Sequence, residues 1–473
     1  MVFNSLLFAL FLAIVFGLDR LTSRWSLRKF YLLVASFLFY AAWCPPYIIL
    51  LLIPTVADWY AAKFIAATPR PGPRRAILIA SLVLNLGLLG FFKYADFLWE
   101  TTAALAGVFG YEMSSRSLGI LLPVGISFYT FATMSYTIDV YRREIVPARS
   151  FLDYSLFVAF FPHLVAGPIL RAGNFLPQCE TERRANRDQI GWGLTLLAIG
   201  LFGKVVLADG ILAPVVDRIF AARFGLGCAE SWVGALGFAG QVFFDFAGYS
   251  SCALGSALLL GWYLPENFRF PFAALGFSDF WRRWHISLST WLRDYLYVSL
   301  RGNRRGPIRR GFNLVATMLM GGLWHGASWK YVVWGGLQGA LLVIEAAAQR
   351  YLGIDRLRGS AVGRFALWAG TFFIFSFTWP FFRAADLASA IDIAASMASP
   401  LRGDVVGVSG LRVLAAMSVV ACMFALHVFM RNRTTESMWG RMPWPVRSLL
   451  LAAMIVAVFL VPGDSRAFIY FQF

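Results

Sequence analysis

Two of the four histidines carry most of the chemical capacity of this chain. His325 stands in GGLWHGASW (321–329), inside a long apolar stretch, and His285 stands in WRRWHISLSTW (281–291). A titratable imidazole at membrane depth is costly unless solvated or paired, so a sequence that keeps one there uses it for proton chemistry or substrate contact. On a helix, His285 would share a face with Trp281 and Ser289, one turn to either side. The alternative for His285 is structural: it caps a belt of tryptophans at the membrane interface. His163, between Pro162 and Pro168, is a weaker candidate that could instead satisfy backbone carbonyls freed in a broken helix. Asp245, among Phe243, Phe244 and Phe246, needs a partner if buried, and an arginine or a backbone nest would serve. His427 lies in a plain apolar run and reads as structural.

These side chains must be held by elements that suit a bilayer. Of the 473 residues, 59% are hydrophobic and 14% charged, and apolar runs recur near the ~20 residues that span a membrane. The pattern excludes a soluble enzyme and predicts an all-α polytopic membrane protein forming a single integral domain over 1–473. A net charge of +17 would in a soluble protein suggest nucleic acid. Here the arginines cluster between apolar runs, as in membrane-flanking loops, and no soluble basic domain exists to bind nucleic acid. Cys44, Cys179, Cys228, Cys252 and Cys422 show no CxxC spacing, so neither a disulfide framework nor a bound metal is expected.

Apolar runs at 2–18, 30–43, 46–66, 76–98 and 118–140 form a serpentine, the first read as a retained helix rather than a signal peptide. Basic loops (Arg20 to Lys29; Arg70, Arg74 and Arg75; Arg142 and Arg143) alternate with poorly basic ones, which puts the basic side in the cytoplasm and the N-terminus outside. Pro162 and Pro168 break the run at 151–170 into a re-entrant element, and 171–190 reads as a polar loop. Further spans are expected at 191–208, 232–262, 311–327, 329–348, 364–382, 409–430 and 446–462, about 11 or 12 in all. The aromatic, charged segment 266–305 is too polar to cross and is expected as an amphipathic interfacial element at the cytoplasmic boundary. No solenoid-period repeat and no similarity between halves is found.

The motifs FWRRWHISLSTWLRDYLY (280–297) and GLWHGASW (322–329), with LPVGISFYTF (122–131), FFPHLVAGPILR (160–171), FFDFAGYS (243–250) and FIYFQF (468–473), occur in one order along most of the chain. In these motifs the chain resembles the membrane-bound O-acyltransferase (MBOAT) family, in the branch that serves alginate O-acetylation, teichoic acid D-alanylation and peptidoglycan O-acetylation. The resemblance implies helices around a central funnel. It makes His325 the catalytic histidine and His285 its supporting partner. The chain departs from the branch at Ser251, where an acidic residue is usual, at Arg301, where glycine is usual, and at Gln338, where histidine is usual.

The chemistry implied is acyl transfer from a thioester to a hydroxyl. An imidazole base contributes roughly 10²–10⁴-fold, and an oxyanion donor a few kcal/mol more. Gly321, Gly322 and Gly326 would let helices or a donor chain approach His325 closely. The expected donor is acetyl-CoA from the cytoplasm, with no bound cofactor. Arg304, Arg305, Arg309 and Arg310 offer a landing site for its phosphates or for an acidic carrier protein, unless they are only a positive-inside loop. Tyr470, in the aromatic segment 468–473, is expected on the outer side, as an aromatic anchor or as a phenol that accepts the acyl group and presents it to a periplasmic SGNH-type acetyltransferase partner. The expected location is the bacterial cytoplasmic (inner) membrane, and the expected product an acetylated exported polysaccharide, alginate-like before peptidoglycan or cellulose. The alternative is a transporter or flippase with proton-relay histidines, which would call for inverted repeats and paired intramembrane charges that this chain does not clearly show.

Overall fold

A computed structural model describes residues 1–113, 118–400, 407–461 and 468–469. Among these, seven helical stretches are long and apolar enough to cross a membrane: Pro45–Ala67, Pro71–Val108, Arg187–Ala221, Cys228–Leu259, Trp329–Tyr351, Ala361–Arg383 and Gly410–Met430. Leu387–Ala398 and Trp444–Leu460 are shorter apolar helices. The protein is thus an all-helical, multi-pass membrane protein. The chain divides into two compact units, residues 1–193 with 253–265, and residues 194–252 with 266–473.

The first unit opens with α1 (Leu6–Leu21), whose first turn is capped by the Ser5 hydroxyl, and α2 (Trp25–Ala41). Asp19 of α1 is buried, and Arg28 of α2 donates to it at 2.7 Å, so part of this basic loop is folded inward. Next come α3 (Ile48–Ala67), α4 (Pro71–Val108) and α5 (Ile126–Arg142). They meet around Asp58, which accepts from Ser81 at 2.6 Å and Asn85 at 2.8 Å, so that a carboxylate within an apolar helix has its hydrogen bonds made by neighbouring helices. The expected span at 118–140 is shorter, because Gly125 turns the chain at φ +78° before α5 begins. α6 (Phe151–Ala159) and α7 (Phe161–Leu164) are separated at Phe160, as the prolines predict. The stretch expected as a polar loop at 171–190 instead contains α8 (Ala172–Glu180) and the start of α9 (Arg187–Leu201). Its amphipathic side faces inward through Phe175 and Cys179.

The second unit takes the chain from α9 through a wide, π-type stretch at Phe202–Leu212 into α10 (Ala213–Ala221), then α11 (Cys228–Leu259), whose residues from 253 on belong to the first unit. Short helices α12 (Phe277–Trp281) and α13 (Ile286–Trp291) precede a helical hairpin of α14 (Gly306–His325) and α15 (Trp329–Tyr351). α16 (Ala361–Ser376), α17 (Trp379–Arg383), α18 (Leu387–Ala398), α19 (Gly410–Met430), α20 (Thr435–Arg441) and α21 (Trp444–Leu460) follow. Its core is strongly aromatic and includes Phe238, Phe272, Phe280, Trp284, Trp334, Trp379 and Phe382.

The hairpin is closed by glycines. A Cβ on Gly322 would lie 2.2 Å from the Tyr331 carbonyl oxygen, one on Gly335 2.4 Å from that of Met318, and one on Gly339 2.7 Å from the Val315 Cα. The helix backbones therefore touch, as small residues allow in membrane bundles. Gly322 thus serves helix packing. Gly326 makes room for the Tyr331 ring.

Candidate active site

His325 ends α14 at the closed tip of the hairpin, and His285 stands immediately before α13. Both side chains are buried. Their ring centroids are 6.5 Å apart. Trp324 flanks both, its ring 5.5 Å from His285 and 5.1 Å from His325. Other aromatic rings pack on the pair: Phe246 lies edge-on to His285 at 4.7 Å, and Trp334 and Phe382 meet His325 edge-on at 5.3 and 5.2 Å. In such a water-poor setting electrostatic and hydrogen-bond interactions with a reacting group are stronger than in solution.

His285 does not share a helix with both Trp281 and Ser289. Its φ of +41° is left-handed, a conformation costly for a β-carbon residue, and the helix breaks there. The break is held by Asn267, a buried residue that the sequence reading passed over. Its backbone carbonyl accepts from Ile286 N–H at 2.9 Å, and its side-chain oxygen accepts from the Ser287 hydroxyl at 2.6 Å. Its amide in turn donates to the Ser250 hydroxyl of α11 at 3.3 Å. The only hint in sequence was a lone amide in an otherwise aromatic and basic stretch.

The tryptophans of this segment do not form an interfacial belt. Trp284 and Trp291 are buried within the protein, and Trp281 packs against Trp334 of α15 at 5.9 Å. The segment runs alongside α15, with Ser278 N–H donating to Glu345 at 2.7 Å. Its Asp279 pairs with Arg283 at 2.9 Å and with Arg431, at the end of α19, at 2.8 Å. That pairing lets this carboxylate fold in against the helices.

The other candidates fall elsewhere. His163 is in the first unit, where its Nε2 lies 2.9 Å from the Phe157 carbonyl oxygen, so it caps the interrupted α6. His427 is buried among aromatic rings and accepts from the Phe272 N–H at 3.3 Å, a structural role. Among the described residues, Asp245 of α11 is paired with neither an arginine nor a nest of backbone groups. Its partner is Lys204, which also reaches Asp209 at 3.0 Å, while Ile469 N–H donates to Asp245 Oδ2 at 2.9 Å. Paired charges within candidate spans, absent from the sequence reading, are therefore present; Lys204 was concealed inside an apolar run. Tyr470 lies outside the described residues. Its neighbours Phe468 and Ile469 are buried, and Phe468 packs on Phe246 at 5.4 Å.

Arg304, Arg305, Arg309 and Arg310 are exposed at the open end of the hairpin. Fifteen residues of helix separate Arg310 from His325, roughly 22 Å. A cleft of about 430 Å³ opens beside them, lined by Arg310, Arg350, Tyr351, Ile308 and Leu314. Of the three departures from the branch, Arg301 occupies a left-handed conformation (φ +72°) that favours glycine, Gln338 donates to Thr378 at 2.9 Å, and the Ser251 hydroxyl donates to the Ala247 carbonyl. Among the described residues, no group of three His, Cys, Asp or Glu side chains is arranged to hold a metal ion.

Comparison with known proteins agrees with the motifs. The profile of the MBOAT, membrane-bound O-acyltransferase, family matches residues 141–379, which include both histidines of the pair. The chain is 38% identical to the protein named "Probable alginate O-acetylase AlgI" of Pseudomonas putida, covering all of both sequences. It is 32% identical to the peptidoglycan O-acetyltransferase of Helicobacter pylori over 94% of this chain and 91% of the relative. It is 31% identical to the teichoic acid D-alanyltransferase of Bacillus subtilis over 45% of this chain and 56% of the relative. The chain belongs to the membrane-bound O-acyltransferase family and is a multi-pass membrane acyltransferase.

Proposed function

We propose that this protein takes an acetyl group from acetyl-CoA on the cytoplasmic side of the bacterial inner membrane and passes it outward for O-acetylation of an exported polysaccharide. The observation that carries this reading is the buried meeting of His285 and His325, from separate elements, among packed aromatic rings. His325 acts as the base: it takes the proton of an acceptor hydroxyl, whose oxygen attacks the thioester carbonyl. The oxyanion formed is stabilised by a donor, the role assigned to His285. The C–S bond then breaks, and the thiolate leaves with the proton returned by His325. An alginate-like polymer is favoured over peptidoglycan because the alginate relative aligns along the whole chain at higher identity.

The arginines at the open end of the hairpin bind the donor's phosphates, and the long, flexible arm of CoA bridges the distance to His325. Tyr470 is the first acceptor. Its phenol takes the acetyl group and offers it to a periplasmic SGNH-type acetyltransferase. Support for this comes from Phe468 and Ile469, buried against the helix that carries Phe246.

The test is intact-protein mass spectrometry of the purified protein after incubation with acetyl-CoA. Wild type should gain one acetyl group, while His325→Ala and Tyr470→Phe should not. Full polysaccharide acetylation in cells carrying Tyr470→Phe would reduce that residue to an anchor. Transport by a proton relay has one observation in its favour, the buried Lys204, Asp209 and Asp245 cluster. Proton flux through proteoliposomes without acetyl-CoA turnover would establish that reading instead.

A further inference from the structure

We propose that the Lys204–Asp245 pair is a seat for the chain at Phe468–Ile469 that registers this segment against His285, making both charged residues positioning residues for acyl transfer. The proposal rests on Tyr470 as acceptor, the residue that follows Ile469 in sequence.

Stability alone does not account for the pair. Its side chains are 5% and 3% exposed, within two helical stretches apolar enough to span a membrane. Exchanging a buried ion pair for apolar residues of similar size is often neutral or stabilising. Lys204, moreover, already has a carboxylate on its own stretch, Asp209 at 3.0 Å, brought round by the wide turn at Phe202–Leu212. Such turns concentrate at functional positions. The contribution specific to Asp245 is its second oxygen, which accepts the Ile469 N–H at 2.9 Å.

The local sequence is built to allow this. A Cβ on Gly248 would lie 2.6 Å from the Gly200 carbonyl oxygen and 3.1 Å from Lys204 N, so glycine contact brings the lysine's helix against α11. Three residues of α11 then do three things. Asp245 holds the segment's backbone, Tyr249 stacks on Phe468 at 4.7 Å, and Phe246 touches Phe468 at 5.4 Å and His285 at 4.7 Å. The segment and the histidine are therefore set against the same short piece of one helix.

The experiment uses the full-length protein in detergent or proteoliposomes, with acetyl-CoA as donor. In Lys204→Met/Asp245→Leu, deuterium uptake by the peptide holding Ile469 should speed up at least ten-fold. The kcat for acetyl transfer should fall about ten-fold or more, with KM for acetyl-CoA unchanged. Asp245→Asn, which retains an acceptor oxygen, should restore much of both. Ile469→Pro removes the donor N–H together with the isoleucine side chain and leaves the Lys204–Asp245 pair in place, whereas Ile469→Ala keeps the N–H. A loss of kcat in the proline variant that exceeds the loss in the alanine variant reads the contact even if the double variant fails to fold. A kcat in Ile469→Pro no lower than in Ile469→Ala, or unchanged exchange at Ile469 in a folded double variant, would overturn the proposal. Failure of the acceptor reading shows separately, as normal transfer by Tyr470→Phe.

Discussion

His285 and His325 meet beside Trp324 with ring centroids 6.5 Å apart, one before a short helix and the other at the tip of a hairpin. Both imidazoles are buried and are set by separate elements, so their spacing depends on each being held in place. Replacing His325 by alanine should lower kcat by at least 10², the range of a lost general base, while leaving insertion and size-exclusion behaviour unchanged. His285→Ala should impair transfer less completely, because water can replace part of an oxyanion or orienting contact. Wild-type turnover of acetyl-CoA by purified His325→Ala would remove the base from that position.

Asn267 holds the backbone on which His285 is strained. Asn267→Ala should cost about 1–3 kcal/mol, since buried partners lose their hydrogen bonds. It should also lower kcat about ten-fold with little change in KM for the donor. Thermal unfolding and steady-state kinetics on one preparation separate the two effects.

Neutralising Arg304, Arg305, Arg309 and Arg310 together should raise KM for acetyl-CoA several-fold and leave kcat near wild type. The difference should fade at about 1 M salt, where the screening length is ~3 Å. If KM is unchanged while cysteine-accessibility labelling shows inverted helices, these arginines set topology and do not bind the donor.

The hairpin that presents His325 depends on bare backbone contact. Gly322→Ala would drive a methyl to 2.2 Å from the Tyr331 carbonyl oxygen, and backbone cannot give way as a flexible side chain can. A loss of about 1–3 kcal/mol is expected, together with reduced yield of folded protein. Gly336→Ala, with its nearest neighbour a side-chain atom of Leu319 at 3.5 Å, should be nearly neutral by the same assay.

Asp279 lies in the segment between two candidate spans. Burial pushes its carboxyl upward, but the Leu275 N–H, Arg283 and Arg431 outweigh burial and hold it below the ordinary carboxylate range. A carboxylate depressed on folding stabilises the native state above its unfolded pKa, near 4, and loses that contribution as pH falls through the folded value. Wild-type Tm should therefore drop below about pH 4 more steeply than that of Asp279→Asn, which should already be lower by a few degrees at neutral pH. Equal acid slopes in the two proteins would show that Asp279 contributes nothing to this dependence.

Membrane class, the basic loops and the two histidines could all be read from the chain, because each is a local property. An apolar run has the length of a bilayer wherever it packs, His325 in such a run is conspicuous without a neighbour, and His285 is marked by the tryptophans and arginines beside it. Proline signals at 162 and 168 likewise act within a turn, and α6 breaks beside the first of them. Other features depended on residues distant in sequence. The break at His285 exists because Asn267 and α11 hold it, and helical periodicity, which assumes an unbroken helix, put His285 beside Trp281 and Ser289. Lys204 was hidden by the hydropathy of its surroundings, and its meeting with Asp245 is decided by glycines on two helices that let the backbones touch. Local composition determines which segments leave water and which residues carry reactive groups. Only tertiary packing decides which of those groups meet, because the energy of a buried charge or hydrogen bond depends on partners that another helix supplies.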